Sequence, residues 1–373
     1  MAIAETSVNA VATPEGKTAS SPRYEFLDGI RGVASAMVVA HHLPAFCTSP
    51  EWVNILGLGN PWVAIFIALS GYCLFLPAAG RDKPEMPRPF WEFMRRRARR
   101  IIPPWYASLV LCVLVGWFFA QQQFPPPFSF LPKDIWDILT HLTLTHSMVV
   151  YAGSINRPGY TLGTEWQPYI LMILFLLVAR RLGWWVLLIG IGLLPFIPIA
   201  PVEKIVSKVF NPTFTMPFVL GMLGARATRT LPHEGERVPR HTAIATVLTL
   251  LGVTGYLLLT HRDHDRACWF AGLATAAGCF WMTRYPQALP TRFFASAPIS
   301  LLGSFSYSLY LTHFALLALL HFTAIRLGLT DIRAFYLLFL PALPLIFAFA
   351  SLFYYFFEKP FLNAPSIPKT KEG

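Results

Sequence analysis

Apolar runs of about 20 residues recur from roughly residue 27 to residue 357, each long enough as a helix to cross the ~30 Å hydrocarbon core of a bilayer. Inside hydrocarbon, backbone N–H and C=O groups have no water to bond, so runs of this length are confined to helices that satisfy their own backbone. Charged residues make up 13% of the chain against roughly 25% in ordinary soluble domains, which excludes a water-soluble globule. The sequence therefore predicts an all-α, polytopic membrane helical bundle.

Stretches bounded by charge, Pro or Gly give about ten spans: 26–46, 61–80, 101–120, 162–180, 184–200, 213–228, 241–260, 267–284, 299–325 and 333–357. Pro195 and Pro198 interrupt the fifth, and the sixth carries Pro217 with the small pair Gly221 and Gly224. With the N-terminus inside, about 21 of the 30 Lys and Arg residues fall on the cytosolic side, so an even number of spans with both termini cytosolic fits the charge bias. The expected organisation is a polar, disordered cytosolic tail (1–22), a membrane domain (23–358) and a second cytosolic tail (359–373), in a multi-pass protein of the plasma (inner) membrane. The polar start has no signal-peptide pattern. The longest outer segment, 121–160, begins Pro-rich and holds an amphipathic stretch at 135–149, expected to form a short interfacial helix over an outer cavity.

The formal net charge of +11 arises from basic residues placed between apolar runs, where they set topology; this placement points away from nucleic acid. Cys47, Cys73, Cys112, Cys268 and Cys279 show no C-x-x-C spacing and lie mostly in apolar segments. They read as apolar fillers, with neither a disulfide nor a metal implied.

An ionisable side chain inside a span costs about 2.5 kcal/mol or more on insertion scales, so each asks for a partner or a task. Arg31 and His42 are about eleven residues apart, which at ~100° per residue places them on one face and roughly 16 Å apart along the axis. Asp28, three residues before Arg31, is a natural ion-pair partner for it. His42 can accept a proton near neutral pH, as an oxygen nucleophile requires, or can serve as a polar interhelical contact. Glu165 either orients His42 or sits as a favourable carboxylate at a helix start. In Arg95-Arg96-Arg97-Ala98-Arg99-Arg100, Arg97 and Arg100 share a helix face and present guanidinium forks suited to phosphate. The same run also serves as an orientation signal or an anionic-lipid contact. Ser306, Tyr310 and His313 fall at helical spacing with Tyr307 beside them, as a site or as interhelical glue.

Five segments in order resemble the acyltransferase 3 family of multi-pass membrane O-acyltransferases: Phe26-Leu27-Asp28-Gly29-Ile30-Arg31-Gly32 leading to His42, Phe66-Ile67-Ala68-Leu69-Ser70-Gly71-Tyr72, Arg97-Ala98-Arg99-Arg100-Ile101-Ile102-Pro103, Leu162-Gly163-Thr164-Glu165-Trp166, and Ser306-Tyr307-Ser308-Leu309-Tyr310-Leu311-Thr312-His313. The resemblance implies transfer of an acyl group, acetyl by family default, from cytosolic acyl-CoA to a hydroxyl of a surface glycan, lipid or secreted small molecule. It implies no metal. It assigns His42 as catalytic with Arg31 and Glu165, and Arg97 and Arg100 to the donor together with Ser70 and Tyr72. Tyr307, Tyr310 and His313 fall to the acceptor side or to a supporting layer. Many family members continue into a soluble SGNH esterase-like domain. A chain ending soon after the last span is expected to finish the reaction in the membrane core or with a separate extracytoplasmic partner. The rival reading is a transporter or translocator of a glycan or lipid precursor, for which buried His, Arg and Glu would serve proton coupling. No internal repeat supports it.

Overall fold

The computed structural model describes residues 24–56, 59–125, 128–148, 155–194, 208–231, 247–248, 250–255 and 263–362, and among these the regular structure is entirely helical. Among the described residues four helices are long and apolar enough to cross a membrane: 90–121, 157–181, 306–326 and 332–361. The two expected tails fall outside the described residues except for 359–362, as does most of the expected span at 241–260.

Helix α1 (Glu25–His42) carries Glu25 and Asp28 in its first turn, where the helix dipole favours carboxylates, and His41 and His42 in its last. Helix α2 (Asn60–Phe75) is almost uniformly apolar and is buried on most sides. Helix α3 (Phe90–Gln121) starts well before the expected span, so the arginine run lies in its opening turns and continues through Pro103 and Pro104 without a break. Membrane helices tolerate such prolines where neighbours re-satisfy the freed backbone groups.

The chain then turns back along α3. Phe130 and Leu131 cover Gly116, and α4 (Ile135–Leu142) ends where Trp105 Nε1 and Tyr106 Oη donate to the carbonyls of His141 and Leu142, each at 2.8 Å. Trp105 lies about 24 Å of helix below Gln121. The expected short helix forms at Ile135–Leu142, and these two bonds hold its end against α3. Its amphipathicity is inverted for a water surface: Ile135 and Trp136 are 60% and 64% exposed, while Asp137 and His141 are fully buried against α3. That arrangement suits a helix with lipid outside and protein within.

Helices α5 (Tyr160–Arg181), α6 (Trp184–Leu193), α7 (Pro212–Thr230) and α8 (His264–Arg284) follow. Residues 195–200 of the expected span at 184–200 lie outside the described residues. Helix α7 makes its most extensive contacts with α2 and α8. A Cβ on Gly71 would overlap the Phe218 carbonyl, and one on Gly221 the Ala68 carbonyl, so the α2–α7 approach requires glycine on both helices.

The expected single helix at 299–325 is two, α9 (Ala297–Ser304) and α10 (Ser306–Arg326), separated at Phe305. Ser304 and Ser306 hydroxyls bond the carbonyls of Leu301 and Gly303 and compete with the helical ladder at the joint. Helix α9 lies along α1 and α10 packs against α1, α3 and α11 (Ile332–Phe361). Two π-helical turns, 335–339 and 354–358, interrupt α11, and the second places Glu358 in the interior, where it accepts a hydrogen bond from Ser308 Oγ at 2.6 Å.

Candidate functional site

Two cavities lie end to end between α1, α2, α3, α5 and α10. Counting their open mouths, they enclose ≈ 950 and ≈ 920 Å³. The arginine-side cavity is lined by Arg31, Ser70, Arg97, Arg100, Glu165 and Tyr307, and the histidine-side cavity by His41, His42, Asn60, Arg157 and Tyr160. Val63, Thr161 and Tyr310 line both, and so form the wall between them.

Arg97 and Arg100 reach the first cavity because α3 is helical through the run, which puts residues three apart on one face. Arg95 and Arg99 point to the exposed side. Arg88 and Arg96 both pair with Glu92, at 3.2 and 3.0 Å. Among the described residues Arg97 and Arg100 have no carboxylate within 4.0 Å and leave their guanidinium donors for a ligand. Arg31 is held by Asp28 at 3.1 Å, the pairing expected from their spacing, and donates to Cys73 Sγ at 3.1 Å. Cys73 is therefore a partner of a buried cation as well as a packing residue, which corrects the filler reading at this position.

Glu165 does not orient His42. Its Oε1 accepts from Ser70 Oγ at 2.7 Å and from the Tyr169 hydroxyl, at the arginine end. Ser70 and Glu165 thus form a unit from the second and fourth recognised segments. Tyr72 lies elsewhere: it is fully buried, its hydroxyl bonds Thr228 and Thr283 at 3.0 Å each, and it lines neither cavity. The period of α2 explains this, since Tyr72 is two residues from Ser70 and faces α7 and α8. Tyr307 lines the arginine-side cavity and donates to the Ile101 carbonyl at 3.0 Å.

The partner of His42 is His313. His313 Nδ1 faces the Leu309 carbonyl at 3.0 Å, so that nitrogen carries a proton and Nε2 of the neutral ring is an acceptor. His42 Nδ1 lies 3.2 Å from that Nε2 and 2.9 Å from the Val38 carbonyl. Facing two acceptors, Nδ1 of His42 carries its proton and Nε2 keeps the lone pair. The network thereby assigns the base atom. Spacing alone gave no sign of the dyad, because it joins α1 to a helix 271 positions away.

The dividing wall is polar. The Tyr310 hydroxyl donates to the Pro158 carbonyl at 2.5 Å and lies against Thr161 Oγ1, which itself bonds the same carbonyl at 3.1 Å. His41 lines the histidine-side cavity with its ring against Gly59. Gly59 holds φ at +73°, a conformation that favours glycine, where the chain turns into α2.

A helical membrane bundle with a cation-lined cavity and an adjoining imidazole base has the parts of a group-transfer enzyme working on an anionic donor. Residues 24–355 match the family described as an acyltransferase domain, and the chain belongs to that family. It is 25% identical over 323 residues to peptidoglycan O-acetyltransferase OatA of Listeria monocytogenes, covering 79% of this chain and 49% of that protein. It is 24% identical over 319 residues to putative peptidoglycan O-acetyltransferase YrhL of Bacillus subtilis, covering 79% and 48%. A putative O-acetyltransferase of Staphylococcus aureus is 23% identical over 383 residues, covering 90% and 56%. The chain spans about half the length of these curated relatives. No solved structure matches it.

Proposed function

We propose that this chain is a membrane O-acyltransferase, with about ten spans and both termini cytosolic in the plasma membrane, that moves an acetyl group from cytosolic acyl-CoA to a hydroxyl acceptor on the opposite side. The observation that carries the reading is the shared wall: the cavity with unpaired Arg97 and Arg100 meets the cavity with the His42–His313 dyad at Val63, Thr161 and Tyr310. The arginine run, cytosolic by the positive-inside bias, puts donor phosphates on that side. The pantetheine arm then runs up the cavity with its thioester toward Tyr310.

In direct transfer, His42 Nε2 removes the acceptor's hydroxyl proton as the oxygen attacks the thioester carbonyl. The C–O bond forms, the C–S bond breaks, and the imidazolium returns the proton to the leaving thiolate, giving an ester and free CoA. His313 supports this step because the Nδ1–H of a charged His42 ring donates a stronger, charge-assisted bond to a neutral imidazole. In the carrier variant the same Nε2 attacks the thioester and expels CoA as the thiolate, and the acceptor hydroxyl then attacks the acyl-imidazolium, its C–O bond forming as the C–N bond breaks and its proton passing to the thiolate. The active residues need no metal in either route.

The test is purified full chain in lipid nanodiscs with labelled acetyl-CoA and a cell-envelope acceptor extract. Labelled, alkali-labile product and stoichiometric free CoA are expected, both lost in His42→Ala at equal protein level. Solute movement without ester formation would sink the enzyme reading and restore the transporter.

A further inference from the structure

The histidine-side cavity carries a cation that the transfer chemistry does not use. Arg157 opens the short turn Arg157–Gly159 at the head of α5 and lines this cavity with His41, His42 and Asn60. Its guanidinium carbon lies over the Phe128 ring, 4.5 Å from the centroid, and among the described residues its N–H groups donate to no acceptor. Arg81, Arg88, Arg96, Arg266 and Arg333 each have an Asp or Glu within 4.0 Å, but among the described residues Arg157 has none. Among the described residues no Asp or Glu lines the cavity either.

A carboxylate within reach would cancel this cation and fit a neutral acceptor equally well. A cation set over an aromatic ring, with no carboxylate partner among the described residues and lining the same space as the base, fits an acceptor with an anion of its own. We infer that the acceptor is an anionic hydroxyl compound, bearing a carboxylate or phosphate beside the hydroxyl that is acylated, and that Arg157 holds that anion while His42 faces the hydroxyl. His41, Asn60 and Tyr160 supply further hydrogen-bonding groups of the kind a polyhydroxylated substrate uses. Bidentate guanidinium contacts suit both anions, so a sugar acid, a phosphodiester-linked glycan and a lipid headgroup share the required chemistry.

This inference rests on the acyltransferase reading, and one experiment separates the two. Cells producing the full chain, wild type or variant, are fed labelled acetate. Their envelopes are split into a solvent-extracted lipid fraction and a glycan fraction fragmented to single repeating units, and each is passed over an anion exchanger. The label that His42→Ala loses is expected in retained, negatively charged material, with the extraction step showing whether lipid or glycan bears it. Arg157→Gln is expected to lower that label about tenfold at equal protein level and unchanged acetyl-CoA binding, and Arg157→Lys to restore part of it. His42-dependent label in the unretained, neutral material, or wild-type labelling in Arg157→Gln, would overturn the inference while leaving the enzyme reading intact. Envelopes labelled identically with and without His42 would remove both.

Discussion

The two cavities handle charge in opposite ways. On the arginine side positive charge is abundant and only partly answered: Arg31 has Asp28, Glu165 is occupied by Ser70 and Tyr169, and Arg97 and Arg100 remain for a ligand. On the histidine side the chemistry rests on one neutral ring oriented by another, with a single stacked guanidinium nearby. Density of charge suits holding a polyanionic donor that must bind and leave. Sparse charge suits a base, because cations crowded around His42 would bias its protonation. The wall of Val63, Thr161 and Tyr310 keeps these requirements apart while leaving them one side chain from each other.

This division can be broken by variants that damage one cavity and spare the other. The largest effect is expected for His42→Ala, a loss of roughly 10²–10⁴ in kcat, the range of general acid–base catalysis, with donor KM unchanged. Steady-state kinetics with labelled donor measures it, and a proportionate rise in donor KM would place His42 in the binding site instead. Arg97→Ala and Arg100→Ala are expected to do the converse, each raising donor KM by about 10- to 100-fold, since a hydrogen bond between charged groups contributes about 1.5–3 kcal/mol. Their kcat at saturating donor is expected to stay near the wild-type value.

His313→Ala is expected to lower kcat by about tenfold with both KM values unchanged, and to displace the pH–rate profile, because the neighbour that fixes the His42 tautomer is gone. His313→Asn, which keeps an acceptor on a shorter side chain, is expected to recover less than His313→Gln. An unmoved pH profile in all three would reduce His313 to a packing residue. The smallest effect is expected for Tyr310→Phe. Losing the hydroxyl removes the bonds to Pro158 and Thr161, each of the order of 1 kcal/mol, and weakens the wall. Acetyl-CoA hydrolysis without acceptor is then expected to rise a few-fold, read as free CoA released against background.

Much of this was legible beforehand, for identifiable reasons. Arg31 with Asp28, and Arg97 with Arg100, are local relations within one helix, and the helical period fixes them without knowledge of the rest of the chain. Ser70 and Glu165 were each visible as motif residues, but their bond joins residues 95 positions apart and follows only from the packing of α2 on α5. The same limit hid the His42–His313 dyad and placed Glu165 beside the wrong partner. Tyr72 was assigned to the donor with its whole segment, although a helix turns alternate members of a motif toward different neighbours. The docking of 135–142 on α3 was illegible for another reason: an amphipathic pattern does not say which element its polar face meets, and the bonds from Trp105 and Tyr106 show it. Glu358, buried at 2% exposure, follows directly on the last expected span, 333–357. A π-helical turn, which no hydrophobic pattern announces, brings it inside.

The separation of donor binding from chemistry is tested most directly by equilibrium binding of acetyl-CoA to the purified full chain, compared among wild type, His42→Ala and the Arg97→Ala/Arg100→Ala double variant. The predicted result is a wild-type Kd for His42→Ala despite its inability to form ester, and a Kd raised about 100-fold or more for the double variant. Loss of donor binding in His42→Ala, or wild-type binding without the two arginines, would contradict it.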